Sequence, residues 1–111
     1  MFGLKKKTDD ELLHEKVVAA LKTVFDPEIP VNIYDLGLIY DIAVQENQHI
    51  HIQMTLTTPG CPVAQTFPGT VEQAVNQLEE VSDCTVELVW EPPWTQERMT
   101  EAARLELGIF Y

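Results

Sequence analysis

The segment Thr57-Thr58-Pro59-Gly60-Cys61-Pro62 holds a lone cysteine between two prolines, after an alternating strand pattern and before a helical one. A helix N-terminus presents unpaired N–H groups and partial positive charge. Both favour thiolate over thiol and so make a nucleophile or a metal ligand. Pro59, Gly60 and Pro62 rigidify the turn, and the hydroxyls of Thr57 and Thr58 can donate to a thiolate or to a bound sulfur. The bland alternative for Cys61 is a small buried hydrophobe, the commonest fate of a cysteine. Its place at a strand-to-helix turn favours an exposed, functional sulfur instead. Cys84, in the loop leading into a later strand, reads as structural.

A second group is Asp26-Pro27-Glu28, two carboxylates in a rigid loop. Helix termination accounts for Asp26-Pro27, because the residue before proline avoids the α region. It does not account for Glu28 or for Pro30. Asp35 precedes Leu36-Gly37-Leu38, where the glycine suggests a turn or a close backbone approach at the start of a strand. His49 and His51 share one strand face and read as the solvated side of an open hairpin.

These groups do not amount to a permanent metal centre. Structural zinc and iron–sulfur sites typically use four ligands at characteristic spacings, and no Cys-x-x-Cys is present. A site completed by carboxylates, a second subunit or a client protein would be open and labile. Hydrolysis through Cys61 would want a nearby histidine base, and His14 belongs to the first helix. No phosphate-cradling glycine loop and no dinucleotide fingerprint occur.

Local signals give the elements that must position these residues. Thr8-Asp9-Asp10-Glu11 is a capping box, followed by Leu13, Val17, Ala20, Leu21 and Val24 at helical spacing, with Asp26-Pro27 as the expected stop. From Leu38 the period becomes two, placing Leu38, Tyr40, Ile42 and Val44 on one face. Gln45-Glu46-Asn47-Gln48 reads as a hairpin loop with Asn47 suited to a left-handed conformation. The return strand turns Ile50, Ile52, Met54 and Leu56 inward. A helix follows, facing the core through Ala64, Phe67, Val71, Ala74, Val75 and Leu78; Pro68-Gly69 either kinks it or begins its main body. A third strand over Thr85 to Trp90 should return parallel to one hairpin strand by a right-handed crossover. Glu91-Pro92-Pro93-Trp94 leaves the sheet, either stapling the last helix to it or presenting an exposed partner surface. Thr95 is the expected cap of a last helix that stops at Gly108. The expectation is an α/β (α+β) fold in the order helix, strand, strand, helix, strand, helix, with a three-stranded mixed sheet.

At 111 residues the chain suits one domain. Residues 1–7 read as a flexible basic tail and residues 8–111 as the folded unit. Seven basic against 18 acidic residues give a net charge of −11, so a phosphate-tracking basic stripe cannot be built and nucleic-acid binding is not expected. No apolar run is long enough to cross a bilayer, and the first residues lack the apolar region of a secretory signal. Two cysteines make no disulfide framework, and a cytoplasmic location is expected.

Three blocks carry a resemblance: Asp26-Pro27-Glu28-Ile29-Pro30-Val31-Asn32-Ile33-Tyr34-Asp35-Leu36-Gly37-Leu38-Ile39-Tyr40, Met54-Thr55-Leu56-Thr57-Thr58-Pro59-Gly60-Cys61-Pro62, and Trp90-Glu91-Pro92-Pro93-Trp94-Thr95. In this order they resemble the small SufT/PaaD-like family of iron–sulfur (metal–sulfur) cluster assembly factors, over nearly everything after the first helix. The resemblance implies a compact α/β domain acting in maturation of iron–sulfur proteins rather than as an enzyme. Position by position, it implies a functional surface of Asp26, Glu28, Thr57, Thr58 and Cys61, with Cys61 central. It further implies transient contact with an iron–sulfur cluster, iron or a client thiol, and no permanent cofactor. The partners implied are Suf-type assembly proteins and iron–sulfur client apoproteins, with self-association left open. The short form looks most like SufT; PaaD-like relatives, which assist assembly of a phenylacetyl-CoA oxygenase system, typically carry extra cysteines toward the C-terminus. Beside this stand a PaaD-like oxygenase assembly factor, a cysteine-dependent redox or acyl-transfer enzyme, and a non-catalytic interaction module docking through Pro92-Pro93-Trp94 and the acidic surface.

Overall fold

The fold was taken from a computed structural model, which describes residues 9–26, 29–57 and 63–108. The order is α1 (Asp9–Leu21), β1 (Ile39–Val44), β2 (His49–Met54), α2 (Val63–Asn76), β3 (Asp83–Leu88) and α3 (Glu101–Glu106), with single 3-10 turns at Glu46–Gln48 and Gln96–Arg98. This is the expected succession of helices and strands. Thr8, the expected cap of the first helix, lies outside the described residues.

The sheet order is β1-β2-β3, with β1 antiparallel and β3 parallel to the central strand. The strict alternation of β2 explains why it sits in the middle. Ile50, Ile52 and Met54 are fully buried, while His49, His51 and Gln53 turn to the other face. The buried row belongs to the core that also takes Leu13, Val17 and Leu21 of α1, spaced four apart on one helix face, and Phe67, Val71 and Val75 of α2. On the open face, His51 Nε2 meets Glu87 Oε1 at 3.2 Å and His49 Nε2 meets Thr85 Oγ1 at 3.0 Å. The histidines therefore occupy the polar side of the sheet, as their spacing indicates. The hairpin turn has Asn47 at φ 59°, in the left-handed region expected of it, and Gln48 beside it at φ 60°.

Four sequence expectations shift, each through tertiary pairing. The first helix ends at Leu21 rather than near Asp26, because Val24 and Phe25 are taken up by backbone pairing with the 31–33 segment. A bulge between Ile39 and Asp41 puts Ile39, not Tyr40, against the core. Tyr40 instead donates from Oη to the Pro92 carbonyl at 2.7 Å, and Arg98 lies over its ring at 4.5 Å. The third strand begins at Asp83 and ends at Leu88, so Cys84 lies within it and Trp90 beyond it. The last helix is capped by Thr100, whose Oγ1 accepts from the Ala103 N–H at 3.2 Å; Thr95 precedes only the 3-10 turn. Gly108, at φ +74°, ends that helix as expected. The open question at Pro68 resolves to one continuous helix, with Pro68 inside α2.

The segment 92–100 staples the C-terminal part to the turn preceding β1. Trp94 Nε1 donates to the Leu36 carbonyl at 2.7 Å and the Thr100 N–H to the Asp35 carbonyl at 2.8 Å. Gly37 sits under this staple at φ +86°, and a Cβ there would lie 2.3 Å from the Arg98 carbonyl oxygen. Backbone has to move to admit any side chain, in a conformation that L residues also resist. Gly37→Ala is therefore expected to lower the urea-measured unfolding free energy by about 3 kcal/mol, at the upper end for a single backbone lesion. A loss below about 1 kcal/mol would show that the staple yields easily.

Candidate functional site

The two ends of the site arrive through one backbone ladder. Asp26 follows α1 in an extended stretch: the Ile33 N–H donates to the Val24 carbonyl at 2.9 Å and the Asp26 N–H to the Val31 carbonyl at 3.2 Å. Strand-like alternation then turns Val24 and Asp26 inward and Phe25 outward. The 31–38 segment continues the ladder, with the Leu38 N–H on the Ile33 carbonyl at 3.1 Å. Thr55, leaving β2, closes it by donating its N–H to the Leu38 carbonyl at 2.9 Å. The carboxylate loop and the segment leading to Cys61 are thus tied to opposite ends of one short turn.

Asp26 is only 8% exposed. Its Oδ2 accepts the Ile29 N–H at 2.8 Å, so the carboxylate is bonded to backbone three residues further along its own loop. Burying a carboxylate is costly unless it is bonded, and a backbone donor offsets part of that cost. Thr57 is half-buried at the end of the described stretch after β2. Glu28, Thr58 and Cys61, the remaining residues that the sequence points to, lie outside the described residues. Among the described residues, no group of three or more His, Cys, Asp or Glu side chains is placed to hold a metal ion.

Asp35 is accounted for by structure. Its Oδ2 accepts from Asn32 Nδ2 at 2.9 Å while its N–H donates to Asn32 Oδ1 at 2.8 Å. This reciprocal pair closes the turn that carries Leu36 and Gly37.

Sequence reasoning passed over Thr55. It is 1% exposed, and its Oγ1 has no hydrogen-bond partner among the described residues. A buried, unsatisfied hydroxyl costs about 1–3 kcal/mol. Two residues before Thr57, its alternation with Met54 marked it only as an outward position, so nothing in the sequence pattern foretold its burial.

Cys84 is the cysteine that the described residues contain, and it is buried. Burial pushes its thiol up to about 12, with the Glu72 and Asp83 carboxylates adding to the rise. Glu72 reaches this strand from α2 to accept the Val86 N–H at 2.9 Å, covering part of the outer edge of β3. A thiol so raised stays protonated and inert.

Two outcomes follow from these environments. Thr55→Val removes an unsatisfied hydroxyl while keeping the branched shape, and is expected to raise the unfolding free energy by about 1 kcal/mol. A loss of more than about 1 kcal/mol would reveal a bond that the hydroxyl makes. Cys84 should resist alkylation in the native protein at pH 8 and react after denaturation. Because its folded value is raised, its contribution to stability is complete below the ordinary thiol range of roughly 8.5. That contribution falls as pH climbs toward about 12. Alkaline unfolding curves of Cys84→Ala should be correspondingly flatter.

A profile of the iron–sulfur cluster assembly protein family matches residues 14–88, from the middle of α1 to the end of β3. The chain is 45% identical over 100 residues to the Fe-S protein maturation auxiliary factor YitW of Bacillus subtilis, covering 90% of this chain and 98% of that one. It is 36% identical over 86 residues to the Fe-S protein maturation auxiliary factor SufT of Staphylococcus aureus, covering 78% and 98%. Among solved structures, a domain of unknown function from Bacillus anthracis superposes with a TM-score of 0.82 at 40% identity, covering 90% of this chain and 95% of that one. The profile match spans α1 to β3, and both relatives align over nearly their whole length, so the chain belongs to the SufT/PaaD-like family of iron–sulfur cluster assembly proteins.

Proposed function

We propose that the protein is a non-catalytic accessory factor in iron–sulfur protein maturation, and that Cys61 makes transient contact with iron, a cluster or a client thiol. The observation that carries this reading is the near full-length similarity to chains named as Fe-S protein maturation auxiliary factors. The chemistry of the residues supports the finer part. Cys61 is one thiol without the cysteine partners of a permanent centre, following two threonines and preceding a helix. Asp26 is a carboxylate fixed by a backbone donor, on the ladder whose other end is Thr55, and Glu28 lies two residues further on in the sequence. In this reading Asp26 and Glu28 complete or tune the site, and Thr57 and Thr58 orient what Cys61 holds. Suf-type assembly proteins and iron–sulfur apoproteins are the partners, in the cytoplasm. No helix among the described residues is long and apolar enough to cross a membrane.

Deleting the protein is expected to lower the activity of iron–sulfur enzymes such as aconitase under high cluster demand, with wild type restoring it. Cys61→Ser should leave activity at the deletion level while the purified variant keeps its circular dichroism. Asp26→Asn, which keeps an acceptor for Ile29 and loses the charge, should restore it in part. Unchanged aconitase activity in the deletion strain contradicts the maturation role; full rescue by Cys61→Ser removes the thiol from it.

A further inference from the structure

Beside the carboxylate loop lies a cleft that the maturation role, as stated, does not use. It has a volume of about 130 Å³ and runs between the Phe25–Asp35 segment and α3, lined among others by Phe25, Val31, Asp35, Ala102 and Glu106. Phe25 is 57% exposed although its neighbours Val24 and Asp26 are buried. Its backbone is not loose, since it forms the bridge to Asn32 within the ladder that holds Asp26. The fold thus presents a large aromatic ring to solvent on a fixed frame. A single exposed apolar residue is ordinary. Here a rigidly held phenylalanine lines a cleft together with the apolar Pro30, Val31, Ala102 and Ala103.

The charge around the cleft selects the occupant. Its lining includes the carboxylates of Asp35 and Glu106 and no basic side chain. A second copy of this chain would bring another net charge of −11 against them, which opposes self-association on this face. Trp94, the aromatic that the sequence offered for docking, already spends its indole N–H on the Leu36 carbonyl.

We propose that this cleft is a docking surface for a partner protein that inserts an apolar side chain flanked by lysine or arginine. The apolar anchor is seated against Phe25, Val31 and Ala102, and the flanking cations face Asp35 and Glu106. Docking there places the partner on the outward side of the extended stretch whose next residue, turned inward, is Asp26, so the surface selects whom the protein serves. The proposal rests on the maturation reading only for the partner's identity.

The test uses the full chain in cells, with the photoreactive residue benzoyl-phenylalanine in place of Phe25 and, as control, in place of the exposed Thr85 on the open sheet face. Mass spectrometry of the adduct should locate the attachment in a segment with an apolar residue and at least two nearby lysines or arginines. Glu106→Lys, on an exposed position, should cut the adduct yield by about fivefold or more through charge reversal at the rim. No adduct above the Thr85 control, attachment to a second copy of this chain or to an acidic segment, or a yield undiminished by Glu106→Lys overturns the proposal. Attachment to a basic, apolar segment of a protein unrelated to iron–sulfur maturation keeps the docking surface and counts against the maturation reading. Absence of the adduct while aconitase still depends on the chain does the reverse.

Discussion

The turn from Asn32 to Leu38 is the constraint on which the other parts depend. Within it, the Asn32–Asp35 pair fixes the bend, and every neighbouring part bonds to its backbone. Ile33 holds the stretch before Asp26, Leu38 holds Thr55, Leu36 receives the Trp94 indole, and Asp35 receives the Thr100 N–H. Gly37 is the one residue type that allows this convergence, because the Arg98 carbonyl occupies the place of its Cβ. Segments far apart in the chain are thereby held within single hydrogen bonds of one bend. A change in the turn is transmitted to the carboxylate loop and to the strand exit together.

Rigidity of this kind suits the role proposed above, in which cargo is engaged briefly. Under that proposal a group that held iron or a cluster too well could not pass it on, and too few ligands for a closed centre would be an advantage in transfer. What the protein supplies is position: a carboxylate bonded to Ile29 at one end of the ladder and a threonine-rich strand exit at the other. The two cysteines show how setting divides one chemistry. Cys84 is enclosed between strand and helix with carboxylates nearby, which keeps it protonated. Cys61 follows a glycine and precedes a proline in the sequence, and the proposed role asks the same atom to react.

Much of this was legible from the residues because it is local. The alternation of β2, the left-handed Asn47, the Gly108 stop and the close approach at Gly37 all follow from residue types within a few positions. The parts that were not legible depend on distant pairing. Nothing near Leu21 announces that Val24 and Phe25 will pair with residues 31–33 instead of extending the helix. Tyr40 fits the inward row by spacing, and only the bulge and the carbonyl of Pro92 draw it away. Thr100 displaces Thr95 as the helix cap because its N–H is tied to Asp35. The sequence named Asp26 and Thr57 as candidates by residue type; the buried hydroxyl of Thr55, without a partner among the described residues, was not foreseen, since burial there comes from packing rather than from pattern.

The central claim is that Cys61 is the contact through which cargo or client is handled. The most direct measurement is the rate at which apo-aconitase gains activity from a cluster donor under strictly anaerobic conditions, with and without the purified chain. Wild type is expected to speed activation, and Cys61→Ser to give the rate seen with no chain added, at unchanged thermal unfolding. Equal acceleration by wild type and Cys61→Ser would contradict the claim.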